Sequence, residues 1–307
     1  MKRRQFTQLC ASSVLLPVAA SLVACGGGGA DGGGQGAQAA AGSGHASAVP
    51  ALPNERVVVS SKGTVYTLNN DDKSLSQASG IAISAFAAGG WQLASQVAAY
   101  PVDASFDEAG KAYVLDKSLS EIRVYSPSGQ WLSTLAGYGS GPGQLDNPSA
   151  ITVVGRRIYV ADSANHRVQV FALDGTPELR FGALDTTGLG FNYPCDVEIA
   201  ADGSIYVLHL VISLVTVHDS RGKHLRSIDL SRNAQGKRQR VNAIALGPNS
   251  ELVYTETTTG SVATLNSQGQ ITSQRSAQTH YGKPVAARYI AQGRNAQPLL
   301  SGFVNLA

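Results

Sequence analysis

Six ionisable side chains sit at recurring places in this sequence. Asp116, Asp162 and His209 each stand three residues after a tyrosine (Tyr113, Tyr159, Tyr206), and Glu256 stands two after Tyr254. Asp103 and Asp196 each follow a proline by two residues, at Pro101 and Pro194. Glu55 and Asn69 hold the corresponding places in the first copy. Matched positions of a radial repeat would bring these carboxylates, one amide and one imidazole to the mouth of a central channel. Hard oxygen donors there suit Ca²⁺ or Mg²⁺, and His209 would also admit Zn²⁺. Asp116 and Asp162 have a competing role, in which they accept backbone N–H groups at strand ends. His209 and Glu256 replace the Asp of the other copies and are the sharper candidates. No G-x-S-x-G, P-loop, H-E-x-x-H or C-x-x-C motif accompanies them.

The segments that must position these groups repeat along the chain. Similar stretches start at residues 53, 101, 148, 194, 241 and 284, so the steps are 48, 47, 46, 47 and 43. Each opens with apolar residues two apart, such as Ala104 and Phe106 or Val197 and Ile199, which is strand alternation. A tyrosine-bearing second strand follows, then a third (Ile122–Tyr125, Arg167–Phe171). A Gly turn such as Ser128-Gly129 or Asp174-Gly175 leads to a fourth strand. Four antiparallel strands per unit, repeated radially, predict an all-β, six-bladed β-propeller over residues 53–307. The last unit is short of strands, and a closed ring of five is the alternative arrangement.

The third unit carries a family likeness. Its IYVADSANHRVQVF, the following DG turn, ELRFG and the lead-in GYGSGPGQLDNP at 137–148 resemble the NHL repeat. The resemblance covers 53–307 and weakens toward both ends. It implies that His166 and Arg167 belong to the repeat's own packing. Peptide-amidating lyases are similar propellers that assemble single residues around a metal. Their metal site uses several His, whereas this rim offers only His209. His218 and His224 are expected to be solvated on outer strands. Lys237, Arg238 and Arg240 form a basic cluster that would attract an anion if its loop shares the rim.

Residues 1–25 read as an export signal. Lys2, Arg3 and Arg4 precede an apolar stretch from Leu9 to Ala24, which Pro17 interrupts. The stretch ends in Leu22-Val23-Ala24-Cys25-Gly26, which resembles a bacterial lipobox with Cys25 as the lipidation site. An ordinary signal peptide with a chance cysteine is the competing reading. Arg3-Arg4-Gln5-Phe6 also resembles a twin-arginine signal. Gly26, where an Asp would signal retention at the inner membrane, favours the periplasmic face of the outer membrane. Residues 26–52, rich in Gly and Ala, form a tether with a typical reach of roughly 30 Å. Cys195 is the only cysteine in the repeat region and is expected to be buried and inert.

Charge narrows the function further. The chain carries 24 basic and 21 acidic residues. Without Lys2, Arg3 and Arg4 the balance is 24 − 3 = 21 against 21, so the repeat region lacks the basic excess of a nucleic-acid binder. The expected function is an envelope-anchored scaffold for an envelope protein or a small polar ligand. It would touch the membrane through its lipid alone. A metal-dependent lyase or lactonase working at the channel rim, with Ca²⁺, Mg²⁺ or Zn²⁺ as cofactor, is the alternative.

Overall fold

The computed structural model describes strand segments from residue 55 to 92, then residues 100–184, 191–247, 249–257 and 261–275, and short strands between 278 and 305. The expected signal segment 1–25, its Cys25 and the tether 26–52 lie outside the described residues.

Every described element is a strand or a turn. β1 (Glu55–Val59), β2 (Val65–Asn69), β3 (Ser74–Gln77) and β4 (Trp91–Gln92) pair in that order. The second sheet runs β5 (Pro101–Phe106), β6 (Ala112–Asp116), β7 (Glu121–Tyr125), β8 (Trp131–Ala136). The third runs β9 (Ala150–Val154), β10 (Arg157–Asp162), β11 (Arg167–Ala172), β12 (Pro177–Phe181). The fourth runs β13 (Pro194–Ile199), β14 (Ile205–His209), β15 (Leu214–His218), β16 (His224–Asp229). The fifth runs β17 (Val241–Leu246), β18 (Leu252–Glu256), β19 (Val262–Leu265), β20 (Ile271–Arg275). Then come β21 (Gln278–His280), β22 (Lys283–Ala286), β23 (Tyr289–Gln292), β24 (Pro298–Ser301) and β25 (Val304–Asn305).

First strands lie side by side, β1 against β5, β5 against β9, β9 against β13 and β13 against β17. β23 lies against both β17 and β1, which brings the two ends of the described chain together. Four-stranded antiparallel sheets arranged radially in this way make an all-β propeller. The last unit departs from expectation. Pro284 does not open its innermost strand but lies in β22, which pairs with β21 and β25. The innermost strand is β23, and 289 − 241 = 48 restores the period that the proline had appeared to shorten.

The core lies between neighbouring sheets. Tyr113, Leu115 and Ile122 of the second sheet pack on Ile151, Ile158 and Phe171 of the third. Equivalent layers join the first sheet to the second, the third to the fourth and the fourth to the fifth. Second strands therefore have both faces covered, and β6, β14 and β18 are buried at every residue. That is why they read as continuous apolar runs, while the fourth strands β8, β12 and β16 are largely exposed. The last hairpin of the fourth sheet needs glycine for two reasons, its backbone angle and the closeness of the neighbouring sheet. At Gly222 φ is +80°, and a Cβ would stand 2.6 Å from Phe181 of the preceding sheet.

Candidate functional site

The structure gives the rim carboxylates work inside the fold. Asp103 and Asp196 sit in equivalent bulges after Pro101 and Pro194. Asp103 accepts from Ala104 N–H with one oxygen and from Ile151 N–H on the next first strand with the other, both at 2.8 Å. Asp196 does the same with Val197 N–H at 3.1 Å and Ile244 N–H at 2.9 Å. A first strand forms the inner edge of its sheet, so some of its N–H groups have no ladder partner. These carboxylates supply one and staple each sheet to the next.

Asp116 and Asp162 close second strands, each opposite the first residue of the third strand. For Asp162 that residue is Arg167, whose Nε donates to it at 2.7 Å. The same guanidinium donates to the carbonyls of Ser140, Gly141 and Gln144 and clamps the Gly-rich lead-in onto the sheet. His166 stacks edge-on against Tyr193 at 4.5 Å. The packing role that the repeat implied for His166 and Arg167 matches these contacts. For Asp116 the opposite residue is Glu121, so no guanidinium arrives from that position. Asp116 Oδ1 accepts from Tyr100, Ser118 and Leu119 N–H, and its buried Oδ2 has no hydrogen-bond partner. Glu256 is buried at the end of β18, opposite Val241. Among the described residues no three His, Cys, Asp or Glu side chains come close enough to share a metal ion.

His209 belongs to a buried chain of hydrogen bonds. Asn192 N–H donates to its Nδ1 at 3.3 Å, and its Nε2 meets Thr216 Oγ1 at 2.9 Å. The same hydroxyl meets His218 Nε2 at 2.9 Å, and His218 Nδ1 meets the Gly222 carbonyl at 3.2 Å. A carbonyl only accepts, which fixes the direction. His218 donates from Nδ1 and accepts from Thr216 O–H, and Thr216 accepts from His209 Nε2–H. Both imidazoles are then neutral. Burial pushes each pKa down to about 4, with the neighbouring His218 adding to the effect at His209. His218 is thus not solvated as expected. It lies on a third strand, covered by Phe181 at 4.9 Å and Phe191 at 5.4 Å, both from chain preceding its sheet. His224 is exposed, as expected.

A different surface is open to solvent. In an antiparallel four-stranded sheet the start of the first strand, the second hairpin and the end of the fourth strand share one end. Tyr100, Tyr138, Tyr193, Leu210 and Val211 all occupy such places, and all are exposed, Tyr138 at 73%. Beside Val211 a cleft of about 870 Å³ opens between the β14–β15 turn and the β16–β17 connection. It is lined by Arg232, Arg238 and Arg240 together with Asp229, Ser231 and Gln239. The basic loop therefore does share the rim with the second-strand ends, since Thr257 N–H, just beyond Glu256, donates to the Arg240 carbonyl at 2.9 Å. Arg232 and the exposed tyrosines escaped the sequence reading because only the folded hairpins bring them to one face.

Comparison with known proteins agrees with the architecture. Residues 145–171 match the NHL repeat family. No curated protein matches the sequence. Among solved structures, a streptogramin B lyase aligns at a TM-score of 0.56 and 13% identity, over 81% of this chain and 90% of that one. A virginiamycin B lyase from Staphylococcus aureus aligns at 0.56 and 14% identity, over 78% of this chain and 76% of that one. A catalytically inactive form of the Staphylococcus aureus lyase with quinupristin aligns at only 0.49 and 15% identity, over 64% of this chain and 61% of that one. At these identities the likeness is one of fold. The chain is an all-β propeller carrying an NHL repeat.

Proposed function

We propose that this propeller is a non-catalytic binding scaffold at the bacterial envelope. Residues 1–25 direct export, Cys25 carries the lipid, and residues 26–52 hold the propeller at the periplasmic face of the outer membrane. The observation that carries the binding reading is that Tyr100, Tyr138, Tyr193 and Val211 are exposed at the same end of their sheets as the cleft lined by three arginines. Tyrosine and arginine are the residues that interfaces concentrate. Asp103, Asp162 and His209, by contrast, already have partners within the fold. The ligand is an envelope protein or a small polar molecule.

The second reading is a metal-dependent lyase or lactonase. It rests on fold likeness to the streptogramin B lyases alone, and fold does not carry function. One experiment separates the two. The full chain, purified in detergent, is used to capture partners from envelope extract. In parallel it is incubated with quinupristin and Ca²⁺, Mg²⁺ or Zn²⁺. The scaffold reading expects a retained partner that is lost on Tyr138→Asp with Val211→Asp, and no turnover. Empty capture with consumption of quinupristin, and a melting temperature raised by one of the cations, favours the lyase.

A further inference from the structure

We propose that the cleft between the β14–β15 turn and the β16–β17 connection binds a small oxyanion bearing at least two negative charges. This rests on the scaffold reading and names the chemistry of one of its ligands.

Charge is the first argument. Arg232, Arg238 and Arg240 line the cleft against a single carboxylate, Asp229, and all three arginines are exposed. The ion pairs among the described residues involve other arginines. Asp229 already accepts the Ser231 N–H at 2.8 Å. Guanidinium groups are planar forks suited to carboxylate and phosphate oxygens.

The second argument is repulsion built into the backbone. Arg232 and Arg238 are partners in an isolated antiparallel bridge. Like charges directly opposite each other destabilise such a pair. A divalent anion lying over both would turn that cost into attraction.

The third argument is rigidity before binding. Gln239 is buried, and its side-chain amide donates to the Leu230 carbonyl at 2.9 Å, with the Arg232 carbonyl and Tyr254 Oη sharing its second hydrogen at 3.3 Å. Asn233 Oδ1 accepts from both Gln235 and Lys237 N–H. Gln239 N–H donates to the Ser231 carbonyl at 2.8 Å. The loop backbone is therefore fixed, and binding need order only the arginine side chains. A cleft of about 870 Å³ also falls within the size range of small-molecule sites.

The test uses the full chain in detergent, with pyrophosphate and citrate as soluble probes, sodium chloride at matched ionic strength as control, and phosphatidylglycerol vesicles as a lipid phosphate. Titration calorimetry and thermal melts are read for wild type and for Arg232→Gln with Arg238→Gln. Both positions are exposed, so the double variant keeps its fold. Saturable binding of a probe, at least about tenfold weaker in the double variant, is expected. Without ligand, the double variant melts close to wild type, because the exposed bond from Arg232 Nη1 to the Gly236 carbonyl is lost while a repulsion is removed. Binding of soluble probes without vesicle binding assigns a free solute. Vesicle binding that is lost in the double variant assigns a lipid headgroup. Probes that act no more than chloride, together with vesicles that do not bind, overturn the proposal, as does a double variant that binds like wild type. Retention of an envelope partner alongside that failure leaves the scaffold reading standing.

Discussion

His209 and His218 show how a residue that looks chemically active can be spent on packing. Their neutral, buried imidazoles make stability depend on pH. Unfolded, each titrates near its ordinary 6.5; folded, each is lowered to about 4. Between those values the unfolded chain holds more protons, so acid favours unfolding. Stability is full above about pH 6.5 and falls as pH drops toward about 4. Melting temperatures across this window are expected to decline, and His209→Gln with His218→Gln, although less stable at neutral pH, should flatten the slope. A slope unchanged in the double variant would assign the pH dependence to other groups. Acceptance of backbone N–H groups at a strand end was legible for Asp116, whose donors Ser118 and Leu119 are near neighbours, whereas Asp162 is held mainly by side-chain donors of Asn165, Arg167 and Gln169. Sequence alone did not expose the staples at Asp103 and Asp196. Their second partners, Ile151 and Ile244, each lie 48 residues away, and no local pattern encodes a contact between sheets. The burial of His218 was illegible for the same reason, since Phe181 and Phe191 reach it from outside its own sheet.

At the scale of the element, strands were legible where apolar alternation and glycine turns agreed. The third sheet is the clearest, with β9 to β12 falling where the repeat places them. The last unit misled because Pro284 resembles the prolines that open β5 and β13 but belongs to β22. The hairpin glycines allow a graded test. Gly222 and Gly203 have similar φ values, +80° and +83°, yet a Cβ would meet Phe181 at 2.6 Å in the first case and only Ser220 at 3.9 Å in the second. Gly203→Ala should cost about 1 kcal/mol, the backbone strain alone. Gly222→Ala adds a clash between sheets and should cost about 2–4 kcal/mol. Chemical denaturation of both variants checks the difference. Equal costs would mean that the sheets part easily at this contact.

For the molecule as a whole, the proposed lipid anchor at Cys25 and the propeller should be separable. Cys25→Ser is expected to move the protein from the membrane pellet to the soluble fraction with its melting temperature unchanged. More than one acyl chain is needed for firm attachment. Residues 26–307, with 21 basic and 21 acidic residues, offer little net charge to hold the protein there after a salt wash. A mutant that stays in the pellet would place the anchor elsewhere, and one that is soluble but unfolded would make the tether part of the fold. The contact of β23 with β1 has a temporal consequence. A chain that crosses a membrane from its N-terminus delivers β1 first and β23 almost last. Stacking of adjacent sheets can proceed during transit, but the circle cannot close until nearly the whole polypeptide has emerged. Until then β1 presents an uncovered flank to whatever surrounds it. Export as proposed would impose a waiting period on this fold, with a vulnerable interval for aggregation or proteolysis that ends only when the C-terminal strands arrive.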